Sequence, residues 1–578
     1  MDKKKILYFC LLGIIFIAAF VLRIYNIEYS RLWIDELYCF DIANKSGVAE
    51  ILKTVLSSDL HAPVFFIILH YWIKIFSASD KMMLMLTVLA SWGSVIAGYF
   101  AGAKLFNKKT GVIFSILMAF SAIEIFYAQE LKFYALLPLF SVISFYFFSK
   151  ITDEFRQKDA MLLALINFLI IYTFNIGIVF VALQFAIGLV FLLYKNKRFL
   201  KSYLASFLSV FLLYVPYFIF QIKVYLAAKS GVCSVFDMFH FDFCFIFTVL
   251  QDFFTPVLKN IGNNGYYYDI FSEIKNLGIF KFAAYIAFFL CLNLYGLYKS
   301  IMTKNYKNLL LLVWIVSSII VLMLMAYMQI IPLVLRYILI LHSLAVLSVS
   351  FGLSQIKNDK VLYVLMLFAA VISLYNFCTD KSSPLLKDSS YHYDSAYILK
   401  SQNETITQND YILMPYMGRF LYKYLPEGRH VDFRLEEILC SSDYPLIKQT
   451  FGLNEEQMKA ANKRELPLQN YAMSEQPPES LEKYFIENYI SKMKKGDKFI
   501  FIESYLGYII PDDSYPVWVS MLNIDNTNLN EKERRFRYCI LYTKVFNDIF
   551  KILSKHLTPI KMYDGSKMDT KIFIFQKV

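Results

Sequence analysis

Residues 3–25 read KKKILYFCLLGIIFIAAFVLRIY, a lysine triplet followed by an apolar run from Ile6 to Tyr25. A helix needs about 20 apolar residues to cross a bilayer, and this run supplies them. The triplet favours a cytoplasmic amino terminus, because lysine and arginine collect on the cytoplasmic side of membrane spans. The run is longer than a signal-peptide core and lacks a small-x-small cleavage site, which is typical of a retained anchor.

The composition predicts that many further spans follow this anchor. Of the 578 residues, 58% are hydrophobic and 18% are charged, whereas soluble domains carry about 25% charged residues. A net charge of +12 would suit a nucleic-acid partner in a soluble protein, but here much of the excess lies in short loops between apolar runs. We therefore expect a lipid bilayer, and no nucleic acid, as a partner.

The apolar runs and the charges of the intervening loops predict eleven membrane spans. Lysines and arginines concentrate in the loops that become cytoplasmic when the spans alternate, whereas the short outer loops hold little beyond Lys132 and Arg336. This asymmetry places the amino terminus inside and the carboxyl terminus outside. The predicted spans are 6–25, 83–106, 109–128, 133–150, 160–176, 177–194, 200–220, 279–298, 308–328, 334–354 and 360–378.

Two long outer loops interrupt the predicted membrane module, which covers residues 1–379. The first, at about 26–82, contains the apolar stretch Val64–Phe76, which is too short to span and predicts a juxtamembrane helix. The second covers about 221–278. Among the eight cysteines no spacing indicates a metal site, and disulfides between Cys233 and Cys244 and between Cys440 and Cys539 stay open.

Hydropathy falls sharply after Thr379, and residues 380–578 are expected to form a soluble extracytoplasmic domain. Its hydrophobic patterns predict short strands and helices. The strands are expected at 410–414, 498–502 and 571–575, and the helices near 446–462, 478–494 and 529–554. The predicted fold class is a polytopic α-helical membrane protein with a carboxyl-terminal soluble α/β domain.

Polar residues gather at four places on the predicted outer side. The four places are Asp35-Glu36 after the first span, His61 before the juxtamembrane helix, Gln129-Glu130-Leu131-Lys132-Phe133-Tyr134 after the third span, and Arg336-Tyr337 entering the tenth. Carboxylates can act as a general base, and lysine and arginine can bind a phosphate. Transfer of a sugar from a polyprenyl phosphate needs both, a base for the acceptor hydroxyl and cations for the leaving phosphate, besides an apolar groove for the isoprenoid.

Each group also has a structural explanation. Asp35 and Glu36 fit an acidic pair that opens a helix, and His61 fits a helix cap. Glu130 and Lys132 fit a polar collar at the end of a span. Arg336 fits an anchor whose charged head reaches the interface. The sequence leaves both readings of each group open.

The order and spacing of these motifs over residues 1–350 resemble the GT-C glycosyltransferases of family 39. This family includes protein O-mannosyltransferases and bacterial aminoarabinose transferases. The stretches that carry the resemblance are WIDE at 33–36, HAPVFFIILHYW at 61–72, AQELKFYALLPLFS at 128–141 and the later Arg336-Tyr337. The sequence departs from the family pattern at two positions. Ala62 replaces a proline. Lys132 replaces the usual arginine, so that an ammonium point charge takes the place of a bidentate guanidinium.

The resemblance implies a GT-C-like fold and inverting transfer from a polyprenyl-phosphate sugar to an acceptor hydroxyl or phosphate. Asp35 is then the base, while Glu36 orients the acceptor or helps to hold a divalent metal ion. Lys132 or Arg336 lies at the lipid phosphate, and Glu130 lines the donor pocket. The other residues expected to bind substrate are His61, Gln129, Tyr134 and Tyr337.

Two other classes compete with this enzyme. One is a transporter or flippase of lipid-linked saccharides, which would place ionisable residues near the bilayer midplane. The other is an inactive scaffold for envelope assembly. The predicted spans are nearly free of carboxylates and the Asp35-Glu36 pair is intact, which favours an enzyme of a bacterial cytoplasmic membrane. The sugar and the acceptor stay open.

Overall fold

The computed structural model describes residues 3–27, 32, 34–58, 62–195, 197–230, 279–328, 330–331, 335–379, 399, 402, 404–413, 429–430, 479–503, 548–564 and 571–578. It divides the chain into two compact units. We call residues 1–226 and 239–388 the membrane unit, and residues 227–238 and 389–578 the sheet unit. The predicted site residues belong to the membrane unit, whereas the cysteine pairs left open above lie outside the described residues.

The membrane unit begins with a long helix and three short ones. These are α1 (Lys3–Ile24), α2 (Ile34–Ala43), α3 (Val48–Ser58) and α4 (Val64–Ile75). The bounds of α4 agree with the predicted juxtamembrane helix. Helices as short as α2 are marginal alone, and α2 is stabilised by packing against α3 and α4, with Leu37 and Ile42 fully buried.

The remaining helices of this unit are mostly longer. They are α5 (Asp80–Leu105), α6 (Lys108–Ala119), α7 (Ala122–Ala128), α8 (Leu136–Asp153), α9 (Gln157–Thr173), α10 (Gly177–Lys195), α11 (Leu200–Ser230), α12 (Ile279–Met302), α13 (Tyr306–Tyr327), α14 (Leu339–Ser354) and α15 (Asp359–Thr379). Helix α5 is central, since it contacts α1, α4, α6, α7, α8 and α14. Glycines permit its close approach to α6: a Cβ on Gly111 would lie 2.5 Å from the Tyr99 carbonyl oxygen.

Six of the described helices are long and apolar enough to cross a membrane, and we conclude that the chain is a multi-pass membrane protein. They lie at Lys5–Ile24, Asp80–Leu105, Phe133–Asp153, Gly177–Tyr194, Leu200–Ile222 and Tyr306–Tyr327. Helix α1 also exposes Ile14 and Ile17, as a lipid-facing surface requires. Helices overlap the other predicted spans as well, but that all eleven cross stays a prediction.

The predicted third span, 109–128, is not one helix. Helix α6 ends at Ala119 and α7 begins at Ala122. The break interrupts the regular helical hydrogen bonds, and the buried guanidinium of Arg23 donates to two carbonyl oxygens at the end of α6, Met118 O at 2.9 Å and Ala119 O at 3.3 Å. The sequence prediction missed this break because a cation on another helix stabilises it.

A closed ring of hydrogen bonds joins α8, α9 and α10. Ser144 Oγ donates to Asn167 Oδ1, Asn167 Nδ2 donates to Gln184 Oε1, and Gln184 Nε2 donates to Ser144 Oγ, each at 2.8 Å. All three side chains are fully buried. We call them the neutral ring. Such bonds between helices replace contacts that lipid cannot offer.

The sheet unit contains a five-stranded mixed sheet. Its strands are β1 (Tyr411–Leu413), β2 (Arg429–His430), β3 (Lys498–Glu503), β4 (Thr558–Asp564) and β5 (Lys571–Gln576), in the order β2-β1-β3-β5-β4. Strand β1 pairs in parallel with β2 and β3, while β5 pairs antiparallel with β3 and β4. Three of these strands match the predicted ones.

Helical residues in this unit fall at α16 (Glu479–Asn488), within the helix predicted at 478–494, and at 548–556, which overlaps the end of the helix predicted at 529–554. The third predicted helix, near 446–462, lies outside the described residues. Strand β4 was not predicted. It contains Pro559 and an irregularity between Pro559 and Lys561, features that only an edge strand tolerates. Its sequence, TPIKMYD, lacks the apolar pattern from which β1, β3 and β5 were predicted.

Candidate active site

The acidic pair lies in the first turn of α2, where the helix dipole favours negative charge. The two side chains differ in exposure: Asp35 is 35% exposed, whereas Glu36 is buried. A base must reach its acceptor, and only Asp35 has access to solvent. The pair is thus the acidic start of a helix, as its structural explanation predicts; that Asp35 acts as a base stays a prediction.

Glu36 connects α2 to the segment 129–132, which we call the site loop. Its Oε1 accepts a hydrogen bond from the backbone N–H of Leu131. Whether Glu36 orients the acceptor is untested, because this contact is with the protein backbone. A buried carboxylate bonded to a backbone amide fixes the distance between two segments.

Lys132 brings a positive charge to the acidic pair. Its Nζ lies 3.9 Å from Asp35 Oδ2, and its side chain is only 4% exposed. This distance is an ion pair but exceeds hydrogen-bond range. A predicted base and a predicted phosphate-binding cation, 97 positions apart in the sequence, are thus neighbours.

Several hydrogen bonds hold the site loop in place. Gln129 Nε2 donates to the carbonyl oxygens of Arg23, at 2.9 Å, and Tyr25, at 2.7 Å. The hydroxyl of Thr87 donates to Ala128 O at 2.8 Å, immediately before the loop. Gln129, predicted to bind substrate, is therefore engaged with the end of α1.

A row of aromatic rings connects the site loop to the second half of the unit. The ring centroids of Tyr127 and Tyr134 are 5.4 Å apart, and Phe133 lies 5.5 Å from Phe174. Phe174 in turn lies 5.5 Å from Tyr337. Tyr134 is buried among rings, while Tyr337 is half-buried.

Three other predicted residues have different outcomes. Glu130 is buried in the site loop. Arg336 lies in the 3-10 helix Leu335–Ile338 directly before α14, but its side chain is outside the described part of the chain, and so is His61. The roles assigned to these residues stay predictions.

The sequence analysis missed a buried cluster of ionisable residues, Arg23, Glu124 and His342, which we call the charged cluster after Arg23 and Glu124. Nδ1 of His342 lies 2.8 Å from Glu124 Oε1, and the carboxylate interacts electrostatically with the Arg23 guanidinium. All three are almost completely buried. An ionisable residue in an apolar segment was the available signal, because Glu124 lies within the predicted span 109–128 and is one of the few carboxylates in the predicted spans.

An open cavity of about 590 Å³ lies where the ends of α1 and α4 meet the start of α5. Its size is ordinary for a small-molecule site. Neither Asp35 nor Lys132 lines it. Its walls are apolar apart from one amide and one amine, and consist of Phe20, Ile24, Asn26, Ile27, Trp72, Phe76, Lys81, Met82, Met85 and Leu89.

The described residues offer poor support for the divalent metal ion considered above. Within them no three His, Cys, Asp or Glu side chains come close enough to share an ion. The group near Asp35 is the ammonium of Lys132, which repels a cation. Glu36, the other carboxylate of the pair, is already bonded to Leu131 N.

Comparison with known proteins identifies the fold. No protein-family model and no curated protein sequence matches the chain. Among solved structures it is similar to ArnT from Cupriavidus metallidurans bound to undecaprenyl phosphate, with 12% identity and a TM-score of 0.51 over 97% of this chain and 98% of ArnT. For ArnT in the apo state the identity is 10% and the TM-score is 0.51, over 99% and 98% of the two chains.

The archaeal oligosaccharyltransferase AglB from Archaeoglobus fulgidus is a more distant match, with 11% identity and a TM-score of 0.47 over 100% of this chain and 89% of AglB. We draw nothing from a match at that score. The match to ArnT covers almost the whole of both chains. The chain therefore shares the fold of ArnT, and the resemblance stated from its sequence is confirmed at the level of the fold.

Proposed function

We propose that this protein transfers a sugar from a polyprenyl-phosphate carrier to an acceptor, with inversion, at the outer face of a bacterial cytoplasmic membrane. The observation that carries the proposal is the pairing of a partly exposed carboxylate, Asp35, with a buried cation, Lys132. The fold shared with ArnT, whose structure holds undecaprenyl phosphate, supports the same class of donor.

In the proposed reaction Asp35 accepts the proton of the acceptor hydroxyl as its oxygen bonds to the anomeric carbon. The bond from that carbon to the phosphate breaks, and the lipid phosphate leaves with both electrons. Lys132 stabilises its negative charge by a charge-assisted hydrogen bond. Glu36 acts as a positioning residue, since it holds the site loop through Leu131 N.

The geometry requires Asp35 and Lys132 to separate when the donor binds. A base lies about 3 Å from the hydroxyl oxygen, and that oxygen lies about 3 Å from the carbon it attacks. The phosphate leaves on the far side of that carbon, so the two side chains cannot both act at their present distance of 3.9 Å. We infer that the phosphate draws the flexible lysine away and frees Asp35.

The apolar cavity between α1, α4 and α5 is a suitable site for part of the isoprenoid chain, because aromatic and aliphatic side chains form most of its wall. It lies at the end of α1 to which Gln129 of the site loop is bonded. In this proposal the amino terminus is cytoplasmic, and the sheet unit lies outside the membrane with the acceptor.

Asp35→Asn tests the proposed base. It should lower kcat about 100-fold or more, the usual contribution of a general base, while leaving the affinity for undecaprenyl phosphate unchanged or higher, because Lys132 loses a competing partner. Transfer from polyprenyl-phosphate sugars to envelope extracts and binding of undecaprenyl phosphate are measured on the purified full chain. Lys132→Met should do the reverse at the binding step, raising the Kd about tenfold or more.

Asp41→Asn is the matched control. Asp41 lies on the same helix and pairs with Lys45 at the surface, so its loss should change neither quantity. Wild-type turnover by the Asp35 variant would refute the base. Movement of labelled polyprenyl-phosphate sugar across vesicles without any transfer product would replace the enzyme with a flippase, and absence of both activities would leave a scaffold.

A further inference from the structure

We propose that the Glu124–His342 pair is a positioning device, which sets the spacing between the site loop and the 3-10 helix Leu335–Ile338. The inference rests on the proposed function for its ligand, a lipid-linked phosphate. Neither residue belongs to the motifs from which the site was predicted. Neither is a catalytic residue, because both are buried and bonded to each other.

The pair joins two segments that carry the predicted phosphate-binding cations. Glu124 is in α7, eight positions before Lys132, and His342 is in α14, six positions after Arg336. Their hydrogen bond of 2.8 Å spans 218 residues of sequence. Because each partner lies within eight positions of its cation along the chain, we infer that the bond constrains the spacing of the two segments.

A second set of contacts fixes the Glu124 end of this bond. Ser91 Oγ donates to the backbone oxygen of Glu124 at 3.2 Å, and it accepts from Arg23 Nε at 2.8 Å. The guanidinium of Arg23 also holds the end of α6. Helix α7 therefore cannot slide along its axis without breaking its bond to Ser91 of α5, which is itself bonded to Arg23 of α1.

The His342 end is fixed by packing. Helix α14 is buried along its whole length from Leu339 to Leu353 and contacts α5, α6 and α8. Ser343, next to His342, shares a hydrogen bond of 2.9 Å with Ser141 of α8. The two anchored ends leave the Glu124–His342 bond as a direct link between the predicted binding segments.

Such a link matters for a phosphate because two cations act together only at a fixed separation. A displacement of about 1 Å takes a cation out of hydrogen-bond range of the phosphate. Removal of the bond should therefore weaken binding of the lipid phosphate more than it changes the chemical step. A bond that only stabilised the fold would have no such preference.

The test compares His342→Ala, His342→Asn and Glu124→Gln in the full chain. The Ala variant should raise the Kd for undecaprenyl phosphate about five- to tenfold and leave kcat within about twofold. The Asn variant should restore most of the affinity, since its amide nitrogen is as many bonds from Cα as Nδ1 is. Glu124→Gln retains a hydrogen-bonding group and should lie between them.

Hydrogen exchange provides a readout that needs no donor. In the Ala variant, amides of 129–135 and 335–338 should exchange faster than in the wild type, while those of the neutral ring helices should not. Asn167→Ala is the matched control, because it removes a buried polar group of the same unit whose hydrogen bonds go to Ser144 and Gln184 rather than to either segment.

The outcomes separate the inference from the function on which it rests. Equal loss of affinity in the His342→Ala and Asn167→Ala variants, or unchanged exchange in both segments, overturns the positioning role, as does failure of the Asn variant to rescue. If the wild type binds no undecaprenyl phosphate, the proposed function falls, and exchange alone decides whether the pair couples the segments.

Discussion

The charged cluster and the neutral ring are both buried in the membrane unit, but their hydrogen bonds lead to different places. The ring closes on itself: each of Ser144, Asn167 and Gln184 bonds to the other two. The bonds of Arg23 lead outward, to Ser91 and to two carbonyl groups at the end of α6. The ring ties helices together, whereas the charged cluster ties chain segments to the candidate site.

The difference follows from the cost of burial. A neutral amide or hydroxyl needs only one or two partners, and three neighbouring helices supply them. A buried charge needs more, because its desolvation is far more expensive. Arg23 therefore donates four hydrogen bonds, to acceptors in α1, α5 and α6. A network of that extent necessarily links parts of the fold that a neutral triad does not reach.

The largest expected effect comes from removing the cation of the charged cluster. Arg23→Met should lower the free energy of unfolding by about 3–5 kcal/mol, the cost of breaking a buried charge network, because Glu124 loses a compensating charge and α6 loses its terminal donors. Thermal and denaturant unfolding of the purified chain in detergent measure it. Arg156→Met removes an exposed arginine paired with Glu154 and should change stability little. Equal effects would show that the network carries no special stability.

Several helices of the membrane unit and part of the candidate site were predicted from the sequence, whereas the buried polar contacts were not. Length, apolar runs and loop charges predicted helices that the structure contains, such as α4 and α5, because a period of apolar residues is a local property. The acidic pair and the site loop were found by residue type and order, and the structure brings Asp35 and Lys132 together. Their roles rest on experiment.

The break between α6 and α7 could not be predicted in the same way. It is stabilised by Arg23, about 95 residues away, and no local pattern predicts a partner at that distance. The same holds for His342, whose surroundings are apolar in sequence and whose partner Glu124 is on another helix. Long-range polar contacts are therefore the part of this site that requires a structure.

A third cluster, in the sheet unit, consists of Glu404 with Lys498, Lys561 and Tyr563. Burial alone would raise the pKa of Glu404, but hydrogen bonds from Lys561 and Tyr563, with the charges of Lys561 and Lys498, lower it overall. The folded pKa is thus below the unfolded value. The cluster stabilises the fold at pH values above the unfolded pKa, about 4.3, and this contribution is lost as the pH falls through the folded pKa.

Glu404→Gln should therefore lower local stability by about 1–2 kcal/mol at pH 7, and the difference from the wild type should disappear in acid. Hydrogen exchange of the β3 amides in the full chain, at several pH values, measures it. Glu487→Gln is the control, since that exposed carboxylate only approaches Lys483, at 3.8 Å. A deficit that does not depend on pH would contradict the assigned ionisation.

The smallest effect is expected in the neutral ring. Gln184→Leu leaves the volume nearly unchanged but removes the acceptor of Asn167 Nδ2 and the donor to Ser144 Oγ. Hydrogen bonds between membrane helices contribute on average about 0.6 kcal/mol each, so the loss in unfolding free energy should be about 1 kcal/mol. The Kd for undecaprenyl phosphate and the exchange of the site loop should stay at wild-type values. If this variant weakened donor binding as much as His342→Ala does, the two clusters would differ in charge but not in role.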